Sequence, residues 1–127
     1  MKPSEAAVVL ATAAAFDRRE VGELDAEAWH AAFAAAGLAD LALEDARAAV
    51  VAHYAQTRQW LMPSDVVGYC KRVRRDRLKA AGNIYALVQA DPEDGPACHA
   101  EYQRLHADIA AGRRSPAGEL EGRHVRA

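Results

Sequence analysis

Apolar residues recur at three- and four-residue spacing along most of the chain, which is the spacing of one face of an α-helix. The pattern predicts four helices before residue 83, at about 4–18, 25–37, 40–57 and 64–80. Ser4 and Asp25 are candidate N-caps, and Gly37 and Gly82 are typical of helix ends. Pro63 disfavours helical geometry at Met62, so the fourth helix begins either with Ser64 as cap or with Pro63 in its first position.

Each predicted helix has an apolar face. The faces comprise Val8, Val9, Thr12 and Phe16; Trp29 and Phe33; Leu43, Ala46, Val50 and Tyr54; and Val66, Tyr69, Cys70 and Val73. A face of this width is typical of a helix packed on a core. We therefore expect one core that includes Trp29, Phe33, Val50, Tyr54, Val66 and Val73, inside a helical N-terminal domain of residues 1–82.

The pattern changes after this domain. Residues 83–96 are predicted to form a short helix, "IYALVQA", followed by a linker, "DPEDGP". A further helix is predicted over 97–111, and its narrow apolar stripe consists of Cys98, Tyr102, Leu105 and Ile109. Such a stripe suits a helix laid in a partner's groove, so Tyr102, Leu105 and Ile109 are candidate partner-binding residues; packing on the protein's own core is the alternative. Residues 112–127 lack an apolar period and are expected to form a mobile tail.

Composition supports an all-helical fold. Alanine supplies 31 of the 127 residues and has the most favourable intrinsic helix propensity. No stretch alternates polar and apolar residues with the period of two that a half-buried strand requires. We expect an all-α protein: a compact bundle of four to five short helices, followed by the C-terminal helix and tail.

Charge is distributed unevenly. The net charge is −2, yet residues 63–79 hold six Lys/Arg against two Asp/Glu. On a helix with about 100° per residue, four of these cations lie opposite the apolar face. They are Lys71, Arg72, Arg75 and Lys79, which we call the basic ridge. A solvated face that complements the helix dipole is the simple explanation, but it accounts for only two or three cations, so the ridge is a candidate site for a protein partner or a nucleic acid.

Arg74 and Arg77 lie on or beside the apolar face of the same helix. Their stems are expected to pack while their charged groups reach solvent.

The sequence contains no recognisable catalytic constellation. No glycine-rich phosphate loop is present, the five histidines show no HExxH spacing, and Cys98 and His99 point about 100° apart on a helix. His53 is predicted to be a packed or capping histidine and not a catalytic one. We expect no enzyme activity, no metal site and no cofactor. No apolar run approaches a membrane span, and two distant cysteines favour reduced thiols in the cytoplasm, with a disulfide as the alternative.

Three short motifs resemble the phage replicative-helicase loader family, the small loader and inhibitor proteins of DnaB-type hexameric helicases. They are Trp29 in an early helix, the alanine-rich run "ARAAVVAHY" ending at His53 and Tyr54, and "PSDV" at residues 63–66. The resemblance covers residues 4–79. The predicted helix at 97–111 departs from the family pattern, in which a flexible region follows the helical domain.

The resemblance implies a non-enzymatic adaptor of phage-type DNA replication that binds, loads and inhibits a DnaB-type helicase until an origin-bound initiator takes over. It also implies that the region after the helical domain engages the helicase, so a fragment ending near Asn83 should stay folded but lose helicase binding. Two alternatives remain open: a nonspecific DNA-binding protein that uses the helix at 64–80, and an unrelated helical interaction domain. The acidic net charge, and the lack of base-reading side chains in Val66, Val67 and Gly68, argue against sequence-specific DNA recognition.

Overall fold

The structure is a computed structural model that describes residues 1–114. Its α-helices are α1 (Pro3–Asp17), α2 (Glu23–Ala35), α3 (Leu43–Gln56), α4 (Pro63–Ala81) and α5 (Gly95–Ala110). A 3-10 helix, Ile84–Leu87, lies between α4 and α5. The described residues contain no strand, which confirms the predicted all-α class.

The helix starts differ from the predicted ones. Pro3, rather than Ser4, begins α1, and the Lys2 amide donates to Glu5 Oε1 at 2.8 Å. In α2, Asp25 lies three residues after the Gly22 cap and its Oδ2 accepts from the Gly22 amide at 2.9 Å. In both cases a carboxylate in the first turn satisfies a backbone N–H that the helix leaves unpaired, so no serine or aspartate cap is needed.

The start of α4 follows one of the two predicted possibilities. Pro63 occupies the first position, where a residue without an N–H costs no helical hydrogen bond. Asp65 Oδ2 then accepts from the Met62 amide at 2.8 Å. At the other end, Gly82 has a positive φ of 66°, as expected of a glycine that ends a helix.

The chain divides into two compact units, residues 1–71 and the residues from 72 onward. The division falls inside α4, whereas the sequence placed the domain boundary at residue 82. In the first unit α1 packs against both α2 and α3. Its buried cluster comprises Val9, Leu10, Ala13, Ala26, Trp29, Phe33, Leu38, Leu41, Ala46, Ala49, Val50, Leu61, Val66 and Cys70. Four of these are alanines, so helices can approach closely in part of this core.

Most of the predicted core residues lie in this cluster, with Tyr54 packed against it. Val73 does not, because it is half-buried on the part of α4 that belongs to the second unit. The predicted face of α1 was also wrong in part: Val8 and Phe16 are 40% and 50% exposed, while Leu10 and Ala13 are buried. The buried face is rotated toward Ala6 and Ala13, which are both fully buried but carry little apolar weight in a sequence pattern.

The second unit has its own small core. Ile84, Leu105 and Ile109 are buried together, with Leu78 and Tyr102 packed against them. Its C-terminal helix starts earlier than predicted: Asp94 caps α5 by accepting from the Ala97 amide at 3.1 Å, and Gly95 and Pro96 form the first turn. Most of the predicted tail, residues 115–127, lies outside the described residues.

Within residues 1–114, no helix combines the length and the apolar content that crossing a bilayer requires.

Candidate functional site

The basic ridge is exposed along α4. All four of its side chains, Lys71, Arg72, Arg75 and Lys79, are exposed, and the buried residues of the helix, Val66 and Cys70, lie on the opposite side. None of the four cations makes a hydrogen bond or an ion pair with any of residues 1–114. Their charge is therefore not used within the part of the chain that the structure describes.

Arg74 and Arg77 are both half-buried on α4, as their positions in the pattern indicated. The prediction that the charged groups reach solvent was wrong for Arg74, because its Nε and Nη2 atoms are buried. Arg77 lies near the end of α5. Its Nη1 donates to the Ala110 carbonyl at 3.1 Å, at the C-terminal end of α5. A cation is favourable there because the last carbonyls of a helix carry partial negative charge. Gly112 follows with a φ of 79°, and a Cβ at this position would lie 2.9 Å from the guanidinium carbon. Arg77 is thus part of the second unit's structure and not of the ridge.

The other candidate partner-binding residues lie on α5. Leu105 and Ile109 are buried with Ile84, at 6% and 0% exposed, and Tyr102 is half-buried and stacked on Tyr85 with ring centroids 4.1 Å apart. The narrow stripe therefore packs on Ile84 within its own unit, in a small core that the sequence did not predict. A partner could reach Leu105 or Ile109 only if this unit opened.

One cluster in the first unit was not anticipated from the sequence. Arg19, in the segment between α1 and α2, forms an ion pair with Asp17 at 2.6 Å and donates to the Leu61 carbonyl at 2.8 Å. Its guanidinium also lies over two indole rings, 4.4 Å from the Trp60 centroid and 5.4 Å from that of Trp29. The side chains of Arg19 and Asp17 are only 8% and 6% exposed. Arg19 therefore joins the loop before α2 to the turn before α4.

Tyr54 completes the cluster. Its hydroxyl donates to Asp17 Oδ2 and accepts from the Leu61 amide at 2.9 Å. Burial and the adjacent Asp17 carboxylate raise the pKa of Tyr54, so the hydroxyl remains a donor. The partners lie 37 and 42 residues apart in the chain (Asp17–Tyr54 and Arg19–Leu61), so helical periodicity carries no signal for them.

The pKa of Asp17 predicts an acid-dependent loss of stability. Burial by itself would raise this pKa, but the hydrogen bonds from Arg19 and Tyr54 outweigh it and lower the value from 3.8 to about 2. A carboxylate with a lowered folded-state pKa stabilises the fold above its unfolded pKa and loses that contribution as the pH falls toward 2. We expect the loss to be about 2 kcal/mol, measured by urea unfolding between pH 7 and pH 2.

The matched variants for this prediction are Asp17→Asn and Glu20→Gln, the latter at an exposed site in the same segment. Asp17→Asn should be less stable at neutral pH and should have a flatter pH profile between pH 4 and pH 2. Glu20→Gln should follow the wild-type profile. An unchanged slope in Asp17→Asn would show that another carboxylate is responsible.

His53 and the two cysteines are accounted for by packing and hydrogen bonding. His53 Nε2 lies 2.6 Å from the Gln59 carbonyl and its ring meets Tyr54 edge to face, so it packs and hydrogen-bonds within the turn after α3. Cys70 is buried and Cys98 half-buried, and neither forms a disulfide. Among residues 1–114, no group of three His, Cys, Asp or Glu side chains is placed to hold a metal ion.

No known protein-family model matches this chain, and no curated protein or solved structure is significantly similar to it.

Proposed function

We propose that this protein is a non-enzymatic adaptor of phage-type DNA replication that binds a DnaB-type hexameric helicase in the bacterial cytoplasm, loads it and restrains its ATPase. The observation that carries the proposal is the basic ridge: four exposed cations on one helix, none paired with residues 1–114. The resemblance over residues 4–79 supplies the partner's identity. An origin-bound initiator would take over from the adaptor in this scheme.

The ridge suits a partner surface rich in carboxylates. Charged groups that have no partner of their own steer an encounter and fix its orientation, and their contribution falls as salt screens them. The four ridge cations all lie on α4, a single helix of 19 residues. The cations are therefore held at fixed spacing on a helix, and binding does not require the backbone to become ordered.

Direct binding to DNA is the second candidate, because the same unpaired cations would suit phosphates. The net charge of −2 makes it the weaker one, since dedicated nucleic-acid-binding domains are usually basic overall. We expect weak duplex binding only. If phosphates were the true partner, the logarithm of the affinity would fall with the logarithm of the salt concentration by roughly 0.9 per phosphate contact.

Neutralising the ridge tests the proposal. A variant with all four ridge cations changed to Gln should bind the DnaB-type helicase of its own replicon at least about tenfold more weakly, measured by biolayer interferometry. The matched control changes four exposed cations elsewhere to Gln, with the same change in net charge: Lys2, Arg18, Arg47 and Arg104. The control should bind within about threefold of wild type, which is the range that surface charges usually contribute.

Two results would contradict this assignment. Unchanged helicase binding by the ridge variant, together with lost binding by a folded fragment of residues 1–83, would move the contact to the C-terminal region, as the family resemblance implies. Submicromolar, salt-sensitive binding to a duplex of about 20 base pairs, with no helicase association, would favour the DNA-binding alternative.

A further inference from the structure

The first unit has a groove beside the Arg19 cluster that none of the above interactions fills. It has a volume of about 360 Å³ and is lined by Phe16, Asp17, Tyr54, Thr57, Arg58 and Trp60. Two of its walls are aromatic rings with large exposed areas, since Phe16 is 50% and Trp60 is 55% exposed. Pockets that bind small molecules have volumes of about 300–1,000 Å³ and are lined mainly by apolar and aromatic side chains.

The rings of Trp60 and Phe16 are held in place by contacts with other residues of the first unit. Arg19 lies over the Trp60 ring at 4.4 Å, and the adjacent Leu61 is fully buried with both its amide and its carbonyl hydrogen-bonded. Phe16 stacks on Tyr54 with ring centroids 5.2 Å apart and an angle of 24° between the planes. Exposed aromatic rings with restricted motion lose little entropy on binding, and such rings are typical of binding hot spots.

Charge in the groove is positive and comes from one residue. Asp17 is an acid, but its two oxygens accept from Arg19 and Tyr54 and its charge is balanced by Arg19. Arg58 is exposed and has no hydrogen bond or ion pair within residues 1–114. An occupant would therefore need an apolar or aromatic body for the rings and an anionic group for Arg58.

We propose that this groove binds a segment of a partner protein that presents an aromatic or large aliphatic side chain next to a carboxylate. The side chain inserts between Phe16 and Trp60, and the carboxylate pairs with Arg58. Single-stranded nucleic acid could offer a base and a phosphate in the same way, but the first unit is unfavourable to a polyanion. Residues 1–71 hold six Lys/Arg against ten Asp/Glu.

This site is separate from the basic ridge and does not rest on the proposed function. Its lining residues lie between Phe16 and Trp60, whereas the ridge begins at Lys71. Substitutions in one site leave every residue of the other unchanged, so the two hypotheses can fail independently.

The test uses the full chain and a blocked peptide, acetyl-Gly-Phe-Glu-Gly-amide, followed by ¹H–¹⁵N NMR. The protein has two tryptophans, so it gives two indole N–H signals, which Trp60→Phe assigns. The Trp60 signal should shift saturably, with a dissociation constant on the order of 1 mM, while the signal of the buried Trp29 stays in place. Peptides with Lys in place of Glu, or Ala in place of Phe, should bind more weakly.

Variants identify the groove as the binding site. Phe16→Ala and Trp60→Ala should each weaken binding more than about tenfold, since each removes an aromatic wall. Because Trp60→Ala lacks the indole reporter, its binding is followed by the backbone amide signals of Phe16 and Arg58, which are also recorded for the wild type. Arg58→Ala should weaken it about threefold, as expected for one exposed ion pair. Arg47→Ala, an exposed arginine on α3 that does not line the groove, is the matched control and should change nothing. An unchanged Trp29 signal and cooperative thermal unfolding establish that each variant is folded; if Trp60→Ala unfolds, Phe16→Ala decides.

Four outcomes would overturn the proposal. They are no saturable shift of the Trp60 signal at about 10 mM peptide, equal binding of the Lys and Glu peptides, a shift with an oligothymidylate of about eight nucleotides but not with the peptide, and a shift that depends on protein concentration without peptide. The third result would make the groove a base-stacking site, and the fourth would make it a contact between copies of this chain.

Discussion

Replacing Phe33 with alanine is expected to lower the free energy of unfolding by about 3–5 kcal/mol. The Phe33 ring is 1% exposed and packs edge to face with Trp29, with ring centroids 6.1 Å apart. Truncation removes the transfer free energy of the ring and leaves a cavity that the surrounding helices fill only in part. Urea unfolding of the full chain, followed by tryptophan fluorescence and circular dichroism, measures the loss.

Leu24→Ala is the matched control, because it removes an apolar side chain from the same helix. Leu24 is 80% exposed, so its truncation should change stability by no more than about 0.5 kcal/mol. A near-neutral Phe33→Ala, or a Leu24→Ala of similar cost, would show that the face of α2 that packs on α1 has been assigned incorrectly.

Replacing Arg19 with alanine is expected to cost about 3 kcal/mol, which is large for a residue in a loop. The variant leaves the Asp17 carboxylate in a nearly buried position without its cation, and it frees the Leu61 carbonyl. It also removes the cation that lies over Trp60 and Trp29. A charge left unpaired in a poorly solvated site costs more stability than the ion pair contributes. The expected loss of stability is therefore larger than the net contribution of the Asp17–Arg19 pair.

A double-mutant cycle separates the charge from the packing. Asp17→Asn in the Arg19→Ala background should recover part of the lost stability, because the uncompensated carboxylate is gone. Arg19→Lys should lie between wild type and Arg19→Ala, since an ammonium keeps the charge but cannot reproduce the two-pronged contact of a guanidinium with Asp17. Purely additive single and double variants would show that Arg19 acts by packing alone.

The ridge was predictable because it depends on one helix. The angular separation of residues on an α-helix follows from its geometry, so the positions of Lys71, Arg72, Arg75 and Lys79 opposite Val66 and Cys70 could be read from their spacing. Their exposure and lack of partners within residues 1–114 follow from the folded structure. The partner of the ridge remains a proposal.

The packing of the apolar stripe on α5, by contrast, could not be predicted from the sequence. The spacing of Tyr102, Leu105 and Ile109 correctly indicated one apolar face, but a face alone does not specify what covers it. In the structure, this apolar face of α5 is buried by Ile84. Ile84 belongs to the 3-10 helix and lies 21 residues before Leu105 in the chain. Short apolar segments such as "IYALVQA" have too few residues for a periodic signal, so their packing partner could not be predicted.

By itself the sequence determined the local features of this protein: the all-α class, the approximate helix positions, the stop at Gly37 with its φ of 81°, and the shared face of Trp29 and Phe33. These depend on hydrogen bonds and contacts within a few residues, which composition and spacing encode directly. Only the tertiary structure decided that Phe16 faces a groove rather than the core, that Arg19 joins Asp17 to Leu61 beneath Trp60, and that α4 contributes to two separate cores. Those outcomes depend on contacts between segments tens of residues apart, and their energies are set by which surfaces the folded chain removes from water, not by any local pattern.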